Sequence, residues 1–216
     1  MTRKLSLTVE GKNVAVHVHR GDLPAATAFA GPVAVDCEAM GLALGRDRLC
    51  LVQISDGGDA VHLVQILKDT PAPNLAGVLA DPRKLKILHF ARFDMALLRH
   101  ALGVMPAPVY CTKIASRLAR TYTDRHGLKD VVKELLGRDV SKEQQSSDWG
   151  AEQLSDSQIA YAAADVVHLH ALREKLNAML EREGRMPLAQ ACFDFLPTRA
   201  ELDVAGWPEV DIFAHS

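Results

Sequence analysis

Asp36 and Glu38 stand two residues apart in VAVDCEAMGL, at the end of an apolar run. Successive strand residues point to opposite sheet faces, so a strand here puts both carboxylates on one face. Like charges that close repel, and each resists burial unless a proton or a cation compensates. A divalent metal would resolve the conflict; a solvated strand end is the plainer alternative. In HFARFDMALLRH, Asp94 falls in the first turn of a helix that follows a buried strand. The helix macrodipole alone favours an acid there. In YAAADVVHLHAL, Tyr161 and Asp165 are four apart and share a helical face. Their neighbours Ala162, Ala163, Ala164, Val166 and Val167 are small and apolar. A buried aspartate there is costly unless paired, so the pair is either a hydrogen bond tying two elements or part of a site.

Together, four carboxylates on three elements match the needs of two hard cations with oxygen ligands, Mg²⁺ or Mn²⁺. Two such ions about 3.5–4 Å apart activate a water and stabilise the leaving oxygen in an in-line phosphoryl displacement.

The elements that must hold these groups are legible as strands first and helices later. Leu5–Val9 and Val14–Val18 flank Gly11-Lys12-Asn13 as a hairpin. Val33–Glu38, Leu49–Ser55, Ala60–Val64 and Leu85–His89 read as strands. Phe93, Leu97, Leu98 and Ala101 then share a helical face that Gly103 closes. Ile114, Leu118 and Ala119 mark another helix, as do Leu128 to Leu136 before Gly137. Ser155 and Gln158 have the form of a capping box, opening a helix that runs past Leu180, with a break at Pro187. One α/β domain over residues 1–216, with a mixed central sheet flanked by helices, is expected. Trp207, Val210, Ile212 and Phe213 in the segment GWPEVDIFAHS need burial, against the chain's own body or a neighbouring subunit.

With 216 residues, 48% hydrophobic and 24% charged, the chain has the composition of a globular protein. Its net charge of −2 argues against a grip on long duplexes, since phosphate neutralisation supplies much of that affinity. The four cysteines show no CxxC pair, so neither a zinc knuckle nor a disulfide framework is expected. No apolar run is long enough for a membrane span. The opening MTRKLSLTVEGKN lacks a signal-peptide core, which makes the cytoplasm the expected compartment. No GxxxxGK[ST] or GxSxG pattern occurs.

The segments VAVDCEAMGL, HFARFDMALL and YAAADVVHLHAL resemble the three motifs of the ribonuclease D-like DEDD exonucleases. The segments between them, CTKIASRLARTYTDRHGLKDVVKELLG and KEQQSSDW, resemble that family too. Tyr161 stands four before Asp165, as in the tyrosine subclass; the histidine subclass has His five before, where this chain has Ala160. The resemblance implies a ribonuclease H-like exonuclease fold, with Asp36, Glu38, Asp94 and Asp165 as ligands of two Mg²⁺ or Mn²⁺ ions. It implies that Tyr161 positions the attacking water. A phenol with a reference pKa near 10 is a poor base at neutral pH, so orientation is its expected part. Cys37 and Ala39 replace two threonines of the usual first motif, which removes two hydroxyls beside the 3′ nucleotide.

Only about 50 residues follow Asp165, too few for the extra helical domains of ribonuclease D. The chain is more similar to a compact nano-ribonuclease branch that clears dinucleotides and other short RNA, as a ring-like homo-oligomer, an octamer. Met40 and Leu42 are candidates to wedge against a base, or ordinary core. His89 and Arg92 are candidates to meet a phosphate, or a strand–helix junction. Tyr122, Arg125 and His126 offer a ring and two cations for a terminal phosphate or base, or a solvated loop. Gln145, Ser147 and Trp149 join the substrate-contact candidates because they fall in the QQSSDW segment, with their roles open. The rival readings are an exonuclease for longer RNA or single-stranded DNA, and a catalytically silent exonuclease fold that binds nucleic acid.

Overall fold

A computed structural model describes residues 2–9, 11–140, 143–144 and 146–215. The expected hairpin forms from β1 (Thr2–Val9) and β2 (Lys12–Arg20), paired from Thr2↔His19 to Val9↔Lys12. It turns through Gly11 at φ +80, a conformation that costs glycine little. β3 (Val33–Ala39), β4 (Leu49–Ser55) and β5 (Ala60–Gln65) follow as antiparallel neighbours. β2 runs parallel to β5, and β6 (Lys86–Leu88) and β7 (Val109–Cys111) add in parallel beyond β3. The sheet order is β1-β2-β5-β4-β3-β6-β7. β3 therefore has a strand on each side, and every residue of β4 beside it is buried.

The helices are α1 (Pro73–Ala80), α2 (Ala91–Leu102), α3 (Thr112–Ala119), α4 (Leu128–Leu136), α5 (Asp156–Val167), α6 (Leu169–Arg182) and α7 (Met186–Val204). Glycine closes α2 and α4 as expected: Gly103 and Gly137 sit at φ 69 and 66 and return their N–H groups to Arg99 and Lys133. The capping box is also present. Ser155 accepts from the Gln158 backbone, and the Gln158 side chain accepts from the Ser155 N–H. The α/β class and the mixed sheet flanked by helices are as expected.

One local expectation is corrected. The helix opened by Ser155 does not run unbroken past Leu180. It ends at Val167, and α6 begins at Leu169 after a junction at His168; apolar periodicity carries across the junction, so the pattern alone does not show it. The break expected at Pro187 falls between the end of α6 at Arg182 and the start of α7 at Met186, with Pro187 in the first turn of α7, where its missing N–H costs no helical bond. The strand β7 and the helix α1 were not anticipated.

The last segment lies on its own chain. Arg199 donates to the carbonyls of Trp207 and Pro208, and the Phe213 ring stands 5.9 Å from Phe195. Yet Trp207, Val210, Ile212 and Phe213 all stay exposed, Phe213 at 74%. Their expected burial is thus not achieved within one chain.

Candidate active site

Asp36 and Glu38 project from one face of β3, and α5 packs on β3, β4 and β5 with Tyr161 and Asp165 one helical turn apart. Carboxylate oxygens of Asp36, Glu38 and Asp165 lie within 4.8 Å of one another. The β3–β4 register shifts between Glu38 and Ala39, and such irregularities re-aim side chains beside sites. Asp94, in the first turn of α2, is buried. Its carboxylate is not part of the 4.8 Å set but lies close enough to Asp36 to raise its affinity for a proton. The buried Cys37 lies beside Asp94 and offsets part of that rise in proton affinity.

Burial pushes all four carboxyls up from the usual range, and their mutual repulsion adds to it. Among the described residues, no Lys, Arg or His pairs with any of the four. Among the described residues, Gln53, its cross-strand neighbour on β4, donates to Asp36 at 3.2 Å. Sequence reading missed Gln53, although a glutamine inside an apolar run, Leu49 to Ile54, was a usable signal. An all-oxygen donor set without a cationic partner fits a hard divalent ion better than a soft one. Burial and the neighbouring acids also push the Tyr161 phenol well up, so it keeps its proton.

The other candidates separate by environment. Met40 and Leu42 are exposed, Leu42 at 83%, so neither is core. Leu42 lines a groove of about 940 Å³ with Phe90, Arg92, Phe93, His100 and Pro208. Phe90 was not anticipated: it caps α2 at φ 65 with its ring half exposed and the Lys113 ammonium 3.9 Å from its centre. A bulky residue at positive φ is uncommon and clusters at functional sites. His89 bonds Thr112 at 2.8 Å, and burial drives its pKa down to about 3, so it is neutral rather than a cation for phosphate. Arg92 is committed to a two-pronged pair with Asp203 at 2.7 and 2.8 Å and to the Pro208 carbonyl. It is an anchor for α7.

The loop with Tyr122, Arg125 and His126 is organised by Arg120, wholly buried and bonded to Glu134, Ser116 and the Arg125 carbonyl. Tyr122 donates to Glu134 at 2.5 Å, and His126 bonds Ser116 at 2.9 Å; burial lowers the His126 pKa. Arg125 is exposed. Ser147 bonds Gln158, and Trp149 is buried with its ring 5.9 Å from that of Tyr161. Gln145 lies outside the described residues.

A carboxylate cluster of this kind, set on a central strand and a crossing helix of a mixed sheet, defines a metal-dependent 3′–5′ exonuclease domain. Residues 22–181 match the 3′–5′ exonuclease family model, and the chain belongs to the ribonuclease D-like 3′–5′ exonucleases. It is 38% identical over 159 residues to ribonuclease D of Gluconacetobacter diazotrophicus, covering 71% of this chain and 39% of that protein. The chain thus spans about two fifths of the length of these curated relatives. Among solved structures, Brucella melitensis NrnC superimposes with a TM-score of 0.90 at 56% identity, over 93% of this chain and 98% of that one. That protein is also known with bound Mg²⁺ and bound to pGG. Escherichia coli RNase D, an exoribonuclease involved in structured RNA processing, matches at a TM-score of 0.72 and 28% identity, over 80% of this chain and 45% of its own.

Proposed function

We propose that the chain is a 3′–5′ exoribonuclease that hydrolyses dinucleotides and other short oligoribonucleotides to 5′-mononucleotides by a two-metal-ion mechanism. The observation that carries this reading is the convergence of Asp36, Glu38 and Asp165 in a chain similar to NrnC over nearly its whole length. Likeness to a protein held with the short ligand pGG supports the short-substrate preference. So does the groove beside Leu42 and Phe90, whose volume falls within the usual range for small-ligand sites.

Asp36, Glu38, Asp94 and Asp165 would hold two divalent ions, Mg²⁺ or Mn²⁺. When bound, the ions supply charge neutralisation and an activated water. Gln53 fixes the Asp36 carboxylate at 3.2 Å. The Tyr161 hydroxyl, still protonated, orients the water for in-line attack on the terminal phosphodiester. The water oxygen bonds to phosphorus and gives up a proton as the bond to the 3′ oxygen of the preceding nucleotide breaks; that oxygen takes up a proton, and a 5′-mononucleotide leaves. Exposed Leu42 lies against the base of the departing nucleotide, with Met40 beside it.

The chain works as one exonuclease domain in the cytoplasm, in a homo-oligomer whose subunits cover the apolar side chains left bare at Trp207, Val210, Ile212 and Phe213. An eight-membered ring is the expected size. The test of substrate is turnover of 5′-labelled dinucleotide against labelled ten- and twenty-mers of RNA and single-stranded DNA, with Mg²⁺ and with EDTA. Faster cleavage of the long strands would replace the dinucleotide reading with a trimming exonuclease. No cleavage by any metal-loaded sample would leave a silent, binding fold.

A further inference from the structure

Residues 147–150 cross between β3 and α5, two of the three elements that carry the carboxylates. On one side they meet the exit of β3 and the entry of β4. The Arg48 guanidinium donates to the Gly150 carbonyl at 3.4 Å, and a Cβ added at Gly150 would stand 2.7 Å from the Met40 sulfur. A side chain there would displace Met40, two residues beyond Glu38. On the other side they meet the start of α5, where Gln158 is buried and all of its side-chain polar atoms are engaged. Its amide oxygen accepts from the Ser155 N–H at 2.9 Å and from the Ser155 hydroxyl at 3.2 Å. Its amide nitrogen donates to the Ser147 hydroxyl at 3.1 Å and to the Asp148 carbonyl at 3.0 Å. The helix cap and the strap are thus held by one side chain. Gln158 precedes Tyr161 by three residues, so the two are neighbours on the helix surface. Between the strap and the phenol stands Trp149, buried, with its ring 5.9 Å from that of Tyr161 at 40°.

We propose that Gln158 is a positioning residue for the reaction: by tying the 147–150 strap to the first turn of α5, it holds the Trp149 ring against Tyr161 and sets the phenol over the carboxylates. The proposal deepens the exonuclease reading and rests on it. Ser147 and Trp149 then act through Tyr161 instead of by touching the substrate. Catalytic geometry is sensitive to shifts of about 1 Å, and the Trp149 ring is the ring neighbour that Tyr161 has on the strap side among the described residues.

Gln158→Glu separates the two tasks, because glutamate still completes a capping box but lacks the amide donors to Ser147 and Asp148. It is expected to lower kcat about tenfold with KM within about twofold, and to keep the Mg²⁺-induced rise in Tm. In a Tyr161→Phe background the same change is expected to cost less than about twofold, since the hydroxyl it positions is gone. Ser147→Ala, which removes one strap bond from a partly exposed position, repeats the pattern at about threefold if Gln158→Glu folds poorly. Ser155→Ala, which weakens the helix cap and leaves the Gln158 bonds to Ser147 and Asp148 in place, is expected to lower Tm and leave kcat within about twofold. A full tenfold loss in the Tyr161→Phe background, an unchanged kcat in Gln158→Glu, or loss of the Mg²⁺ shift would each overturn the positioning role. Absence of Mg²⁺-dependent cleavage by the unsubstituted chain is a separate result and would overturn the exonuclease reading together with it.

Discussion

Asp36→Asn should stabilise the metal-free protein while abolishing its response to metal. Burial pushes the Asp36 carboxyl up to about 7 from 3.8, so ionising it at pH 8 costs about 4 kcal/mol relative to the same group in water. The side chain keeps partial contact with solvent, and screening brings the recoverable amount to about 2 kcal/mol. A chain of this size gains about 2–4 °C in Tm per kcal/mol, so the variant should melt about 4–8 °C higher in EDTA at pH 8.

The sign follows from the direction of the shift. The folded state binds this proton more tightly than the unfolded one, so the unsubstituted protein loses stability as pH rises from about 4 through about 7. The variant should be flatter across that window. Saturating Mg²⁺ or Mn²⁺ at about 100 times its Kd adds about 2.7 kcal/mol to a protein that binds it, and the variant should show none of this. Thermal melts at pH 5, 6.5 and 8, with EDTA and with each ion, read both effects. A variant in EDTA that melts at or below the unsubstituted protein would refute the claim that burial penalises the ionised Asp36 carboxylate.

Tyr161→Phe should lower kcat about 10- to 100-fold while preserving the metal shift, and Asp165→Ala should lower it at least tenfold further and diminish that shift; metal-dependent dinucleotide turnover compares the two. Leu42→Ser, at an exposed position, should leave Tm within the change expected of about 0.5 kcal/mol but raise KM for a dinucleotide several-fold, which steady-state kinetics would detect. Asp203→Ala strands Arg92 and Arg199 beside a nearly buried partner, costs about 3 kcal/mol, and should lower Tm by about 6–12 °C in a melt at neutral pH.

The chemistry-bearing residues were legible in the sequence because two short periodicities carry them. The two-residue strand repeat puts Asp36 and Glu38 on one face, and the helical repeat aligns Tyr161 with Asp165. Gly103, Gly137 and the Ser155–Gln158 box were legible for the same reason, since each is a rule about neighbours within one turn. The folded chain alone decided what depends on distant partners. Arg92 was a plausible phosphate contact until Asp203, 111 residues away, took its guanidinium. His89 was a plausible cation until burial removed its proton.

Cys37 stood as a lost hydroxyl, and packing set it, buried, beside Asp94. Gln158 was legible as half of a cap; its second pair of bonds, to Ser147 and Asp148, exists only because the 147–150 segment folds back on α5. The sequence by itself determined which acids share a face and which turns end a helix, because local backbone geometry sets those. Tertiary structure decided which charges are spent on anchoring, which protons are lost to burial and which loop presses on Tyr161. Those outcomes follow from the dielectric and the contacts that the whole packed chain creates.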